Sequence, residues 1–199
     1  MSEHYYTARP ETAHDLGQFT ATLRDMSFRF MTDSAVFSRD RVDFGSALLI
    51  ETVDVAPTDT VLDLGCGYGP IGMAAARLAH QGRVYMVDVN ERAAGLAARN
   101  LQENHIANAE VRVGDGLKAV PGITFDKVLT NPPIRAGKAV IYSMIDDAWA
   151  ALKQGGSIWV VIQTKQGAPS MKKKLKELFG NVEDVEREAG YHVFKAVKP

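Results

Sequence analysis

Val61-Leu62-Asp63-Leu64-Gly65-Cys66-Gly67-Tyr68-Gly69-Pro70-Ile71-Gly72 is the stretch that decides the fold. It opens as an apolar strand interrupted by one acid, bends through three glycines at alternate positions, and meets Pro70, which suits the first turn of a helix. A strand running through glycines into a helix is the repeating unit of an open α/β sheet, where ligands bind just beyond the strand C-termini. Glycine lets the backbone bend sharply there and come close to a ligand. A dinucleotide site would use such a turn to hold a pyrophosphate at the helix N-terminus. Asp63, two residues before the first glycine, suits a cationic or amine-bearing ligand better.

Downstream the pattern alternates. Apolar segments predict strands over Thr60–Leu64, Arg83–Val89, Glu110–Val113, Asp126–Thr130 and Ser157–Gln163. Between them lie helices over Pro70–Ala79, from an Asn90 cap to about Asn104, over Ala139–Leu152 up to Gly155 and Gly156, and over Ser170–Phe179. Strands alternating with helices imply a mostly parallel sheet. The segments Val182–Arg187 and Tyr191–Val197 have no helix between them, so they form an antiparallel pair. Upstream, Phe19–Thr32 reads as a hairpin turning over Arg24–Ser27, followed by a helix over Gly45–Val53. The expectation is an α/β, doubly wound domain over residues 45–199 with a small β extension over 1–44.

The chain has 199 residues and a net charge of −1, which sets it at one domain and excludes a global basic field. Its single cysteine, Cys66, allows no internal disulfide and implies a cytoplasmic setting. Met1–Pro10 holds no apolar signal core, and no stretch approaches the roughly 20 apolar residues of a membrane span. The histidines show no metal-ligand spacing, so no metal is expected. Lys172, Lys173, Lys174 and Lys176 form a basic run that reads either as a solvated helix face or as a contact to RNA phosphates.

Two further acids end the next strands. Asp88, followed by Val89, can accept both hydroxyls of a ribose, or can cap the next helix, although Asn90 is better placed for that. Asp115 and Gly116 follow the third strand. Asp115 can accept from an adenine amino group, or serve only the Gly-Asp-Gly turn. The fourth strand exits into Asn131-Pro132-Pro133. Two prolines stiffen the backbone and remove two donors, leaving the carbonyls of Asn131 and Pro132 and the Asn131 side chain as acceptors. Such an array can hold both protons of an NH2 group and turn its lone pair towards an electrophile.

The order Asp-x-Gly-x-Gly-x-Gly, acid, Asp and Asn-Pro-Pro resembles the class I S-adenosylmethionine methyltransferases that act on amino nitrogens. The resemblance implies a Rossmann-like sheet of seven strands. A narrower resemblance, to the small-ribosomal-subunit RNA guanine-N2 methyltransferases, rests on Thr32–Ser38, Val42–Ser46, Asn131–Gly137, Gln163–Gly167 and Gly190-Tyr191. It implies S-adenosylmethionine held by Asp63, Gly65, Cys66, Gly67, Gly69, Asp88, Val89, Asp115, Gly116 and Asn131. It implies catalysis by Asn131, Pro132 and Pro133, and a target bordered by Phe37, Ser38, Asp43, Gly45, Ile134, Arg135 and Lys138. The implied partner is ribosomal RNA or the small subunit; the oligomeric state stays open. Two departures stand out. Ile134 occupies the position where many amino methyltransferases carry a stacking aromatic, for which Phe37 is the substitute expected, and this chain holds one methyltransferase domain where the family often has two in tandem. A protein glutamine N5-methyltransferase is the rival enzyme; a nicotinamide-dependent oxidoreductase and a non-enzymatic RNA-binding module are the rivals of other classes.

Overall fold

A computed structural model describes residues 15–33 and 40–199. The chain begins with β1 (Gly17–Leu23) and β2 (Met26–Thr32), an antiparallel pair. Their turn is Arg24-Asp25 alone, with φ of 52° and 61°. Positive φ at both positions matches the twist of a two-residue hairpin, so the strands run further than the expected four-residue turn allows. Arg24 anchors it, its guanidinium donating to the Val53 carbonyl at 2.6 Å.

Next comes α1 (Phe44–Thr52), whose N-cap is Asp43. Then β3 (Thr60–Leu64), α2 (Pro70–Leu78), β4 (Arg83–Asp88), α3 (Glu91–Glu103), β5 (Ala109–Val113), β6 (Phe125–Thr130), α4 (Lys138–Ala151), β7 (Leu152–Gln163), α5 (Ala168–Phe179), β8 (Glu183–Glu188) and β9 (Tyr191–Val197) follow. The seven-stranded sheet has the order β5-β4-β3-β6-β7-β9-β8. β9 alone among these neighbours joins its partners antiparallel, to β7 on one side and β8 on the other. The expected doubly wound sheet with its terminal antiparallel pair is what the chain forms. Among the described residues no helix is long and apolar enough to cross a membrane.

Beyond the hairpin, two boundaries differ from expectation by more than one residue. β7 begins at Leu152, not Ser157, because Gly155 and Gly156 exchange backbone hydrogen bonds with Lys198 (2.9 and 2.8 Å) instead of ending a helix in solvent. α5 starts at Ala168, with a proline in its first turn.

Strand alternation builds two cores. Val61 faces the layer of α1, α2 and α3, while Leu62 and Leu64 face that of α4 and α5. Leu23, Phe28 and Phe30 carry the hairpin into the first core, where Phe30 meets Tyr68 edge-on at 5.5 Å. The hairpin is also held by its edge. Asn100 accepts from Met31 N (2.7 Å) and donates to the Met31 carbonyl (3.0 Å), and Asn104 does the same for Arg29 at 2.9 and 2.7 Å. Four residues along a helix rise about 6 Å and two along a strand about 6.8 Å. Two carboxamides on one face of α3 therefore imitate a neighbouring strand. Asn100 also donates to the Tyr68 carbonyl at 2.9 Å, tying the hairpin to the glycine turn.

Asn100→Ala would remove hydrogen bonds to three backbone groups, two of them part-buried and one buried. It is expected to cost about 3 kcal/mol and lower the melting temperature by roughly 10 °C. Asn104→Ala, at a half-buried position, should cost about 1 kcal/mol in the same thermal unfolding experiment.

Candidate active site

The tips of four parallel strands are stapled into one cleft. Thr130 Oγ1 donates to the Leu64 carbonyl at 2.8 Å, joining β6 to β3. Gly65 N and Cys66 N both donate to the Val87 carbonyl (2.9 and 3.0 Å), joining β3 to β4. Gly114 N donates to the Asp88 carbonyl at 3.0 Å, joining β4 to β5. The cavity above these bonds is lined by Leu64 and Gly65 after β3, Val87, Asp88 and Val89 at β4, Gly114, Asp115 and Gly116 after β5, and Asn131 and Pro133 after β6. Met144 of α4 closes one side.

Asp88 is buried and organises the floor. Its Oδ2 accepts from Gly67 N at 2.8 Å and its Oδ1 from Asn90 N at 2.9 Å. Asp88 also borders the cavity. Asn90, not Asp88, caps α3, accepting from Arg92 N and Ala93 N. Asp115 is largely exposed and pairs with Lys118. Beside it, burial and the neighbouring Asp115 and Asp146 push the Asp147 carboxyl up.

Asp63 departs from expectation. It does not share the cleft with Asp88 and Asp115, but is fully buried on the α2 face of the sheet, because it stands two residues from Val61 on the same side. There its Oδ2 accepts from Gly72 N at 2.7 Å, in the first turn of α2. The residue at the helix cap is Gly69, which has no side chain to offer and sits at φ +107°. Asp63 thus supplies from the strand the acceptor that the cap lacks. A Cβ on Gly72 would lie 2.9 Å from this carboxylate and 2.5 Å from Met86 Cγ, so the contact requires glycine. Asp63 Oδ1 is buried without a partner, and burial pushes the carboxyl up to about 7.

Cys66, Gly67 and Gly69 form the body of the turn and do not line the cavity. The Cys66 thiol is buried and pushed up by burial and then by Asp88 and Asp63, so it stays protonated and unreactive. Pro132 is buried behind Asn131, while Pro133 reaches the cavity. Ile134 is half-buried and packs against the core on the α4 side. Arg135 and Lys138 are exposed, Lys138 lying 5.1 Å from the Tyr142 ring centre. Phe37 and Ser38 lie outside the described residues.

Asn131 has the most specific geometry. Its Nδ2 donates to Asp43 Oδ2 at 2.9 Å and to Ser46 Oγ at 3.0 Å. A carboxylate only accepts, so the amide nitrogen must face Asp43. The carbonyl oxygen Oδ1 is the end left to the cavity side. Asp43 accepts from Ser46 N with the same oxygen, at 3.2 Å, as the N-cap of α1. Its partners are therefore Asn131 and the helix. Ser46 and Met144 were missed from the sequence. The spacing Asp43-x-x-Ser46 at a helix start was the available signal for the first; Met144 carried none.

Residues 27–195 match the model of the methyltransferase small domain. The chain belongs to that family. Over its whole length it is 44% identical to the uncharacterized protein YbxB of Bacillus subtilis, matched along its whole length too. It is 36% identical to the ribosomal RNA large subunit methyltransferase G of Streptomyces avermitilis, over 87% of this chain and 46% of that one. Among solved structures, a T. thermophilus 16S rRNA N2 G1207 methyltransferase in complex with AdoMet and guanosine superposes with a TM-score of 0.82, at 27% identity, over 96% of this chain and 52% of that one. The chain thus spans about half the length of the ribosomal RNA methyltransferases it matches.

The buried Asp63 predicts a pH dependence. The folded chain keeps its proton up to about 7, against 3.8 for the ordinary carboxyl. Between those values the folded state binds more protons than the unfolded, so stability falls as pH rises across that window. Denaturant unfolding of Asp63→Asn, which keeps an acceptor for Gly72 N, should show a flatter profile over the same range.

Proposed function

We propose that this chain transfers a methyl group from S-adenosylmethionine to an exocyclic amino nitrogen, the N2 of a guanine in small-subunit ribosomal RNA. The observation that carries this reading is the orientation of Asn131. Two acceptors hold its NH2 group, so its oxygen is committed as an acceptor towards whatever amino group enters.

The cavity suits the cofactor. Glycine backbone at Gly65 and Gly114 permits close approach, Asp88 sets a carboxylate at the place for the ribose, and Asp115 and Gly116 border the place for a purine. Leu64, Val87 and Met144 supply apolar walls. Asp63 acts beneath this site by holding the turn against α2. Bound S-adenosylmethionine supplies a methyl on a sulfonium, whose leaving group is neutral and needs no acid. The protein's part is alignment and charge. Asn131 Oδ1 and the Pro132 carbonyl accept the two amino protons and turn the nitrogen lone pair towards the cofactor side. The same dipoles face the positive charge that grows on nitrogen, and being fixed in advance they need no reorganisation. Pro133 keeps this strand exit rigid.

The RNA backbone falls to Arg135 and Lys165, exposed cations just after β6 and β7, and to the exposed Lys138 at the start of α4. The basic run on α5 is a poorer candidate. Lys172 lies 4.0 Å from Asp184 and Lys173 3.8 Å from Glu177, Lys174 pairs with Asp146, and Lys176 donates to the Gly180 carbonyl. These partners fit the solvated-face reading.

The test is transfer of labelled methyl to unmodified small ribosomal subunits, naked ribosomal RNA and cell protein, side by side. Label mapped to a guanine amino group is the expected result; label confined to protein glutamine would support the rival enzyme. Asn131→Ala should lower turnover by about 10²–10³-fold while S-adenosylhomocysteine binds with nearly unchanged affinity. Equal loss of both would make the residue structural.

A further inference from the structure

The target side of Asn131 has a wall that the proposed function does not yet use. Phe44, the first residue of α1, follows the Asp43 that holds Asn131. It is 42% exposed, one of three such large apolar residues among those described. Its ring centre lies 5.4 Å from that of Tyr191, tilted by 41°. Tyr191 opens β9 and sits opposite Gln163, the last residue of β7. Gly45 makes this packing possible: a Cβ there would stand 2.8 Å from Tyr191 Cε1 and 3.1 Å from Asp43 Oδ2. Asn131, Asp43, Phe44, Tyr191 and Gln163 form one continuous chain of contacts.

Two features of this wall call for a ligand. The first is the flat aromatic pair. A planar base taken out of its stack needs a face to replace it, and Ile134, which follows Asn-Pro-Pro, is a half-buried aliphatic residue with no aromatic face to offer. The second is Gln163. It sits beside Tyr191 in the β7–β9 register, and its Oε1 is buried with no hydrogen-bond partner. A buried acceptor left unmatched is costly and rare.

We infer that Phe44 and Tyr191 are the stacking face for the target base, and that Gln163 Oε1 accepts a hydrogen bond from the ring N–H beside the base's amino group. The inference rests on the proposed amino-group methylation and sharpens it. Guanine carries an N–H next to its exocyclic amino group, whereas adenine carries a lone pair there. An acceptor at Gln163 therefore favours guanine and repels adenine, so Gln163 sets specificity while Asn131 positions the reacting nitrogen.

The experiment is steady-state methyl transfer to ribosomal RNA by the parent protein, Phe44→Leu, Phe44→Tyr and Gln163→Met, with S-adenosylhomocysteine affinity and melting temperature measured alongside. Phe44→Leu should raise KM for RNA by about tenfold, and Phe44→Tyr should restore it. Gln163→Met should lower kcat/KM by about 10–100-fold. Cofactor affinity should stay within about twofold throughout, a readout that general damage to the fold would move. An active parent with both Phe44→Leu and Gln163→Met unchanged in kcat/KM would overturn this inference and leave the proposed function standing. A parent that methylates no RNA would overturn both. Phe44→Leu keeps an apolar residue at an exposed position, so it tests stacking even if Gln163→Met unfolds.

Discussion

Asn131 donates to Asp43 across 88 positions of sequence. An asparagine at the mouth of a cavity could present either end of its amide, and the two ends serve opposite chemistry. A nitrogen facing the ligand would repel an incoming amino group; an oxygen draws it in. The Asp43 carboxylate, able only to accept, removes the choice. Because Asp43 is also the cap of α1, the direction of that helix and the direction of the Asn131 dipole are settled by one oxygen atom. Such orientation in advance is what lets a site act through dipoles, with no proton-transfer group at the centre.

The rest of the cleft follows from similar economies at the strand tips. Asp88 serves the glycine turn and the start of α3 with its two oxygens. Thr130 ties β6 to β3. Asp63 gives α2 the acceptor that a glycine cap cannot, at the expense of a buried, half-satisfied carboxyl. The hairpin of β1 and β2 is joined to the same turn through Asn100 and Tyr68. Packing at the edge of the molecule thereby bears on the backbone that borders the cavity.

Much of this was legible in the chain. The strand-to-helix alternation, the acids at the tips of β4 and β5 and the Asn-Pro-Pro exit depend on local order, which a reader can follow residue by residue. Asp63 was expected to face the same crevice as Asp88 and Asp115, although Val61 two positions earlier shares its phase in the pleat and points the other way. The neighbours of Asn131 and Gln163 were beyond reach for a different reason. One depends on a contact 88 residues away, the other on the antiparallel register of β7 with β9. The early start of β7 likewise depends on Lys198, near the end of the numbered chain. Each α5 lysine is paired through the fold or the helix spacing, contacts that the basic run alone could not reveal.

The central claim is that Asp43 acts on the reaction through Asn131. A double-mutant cycle in turnover measures it directly, using Asp43→Ala, Asn131→Ala and both together, with cofactor affinity and melting temperature as controls. Once Asn131 is gone, Asp43 has nothing to orient, so the double variant should turn over within about twofold of Asn131→Ala, far above the product of the single losses. Independent, multiplying losses would contradict the account and leave Asp43 as a helix cap alone.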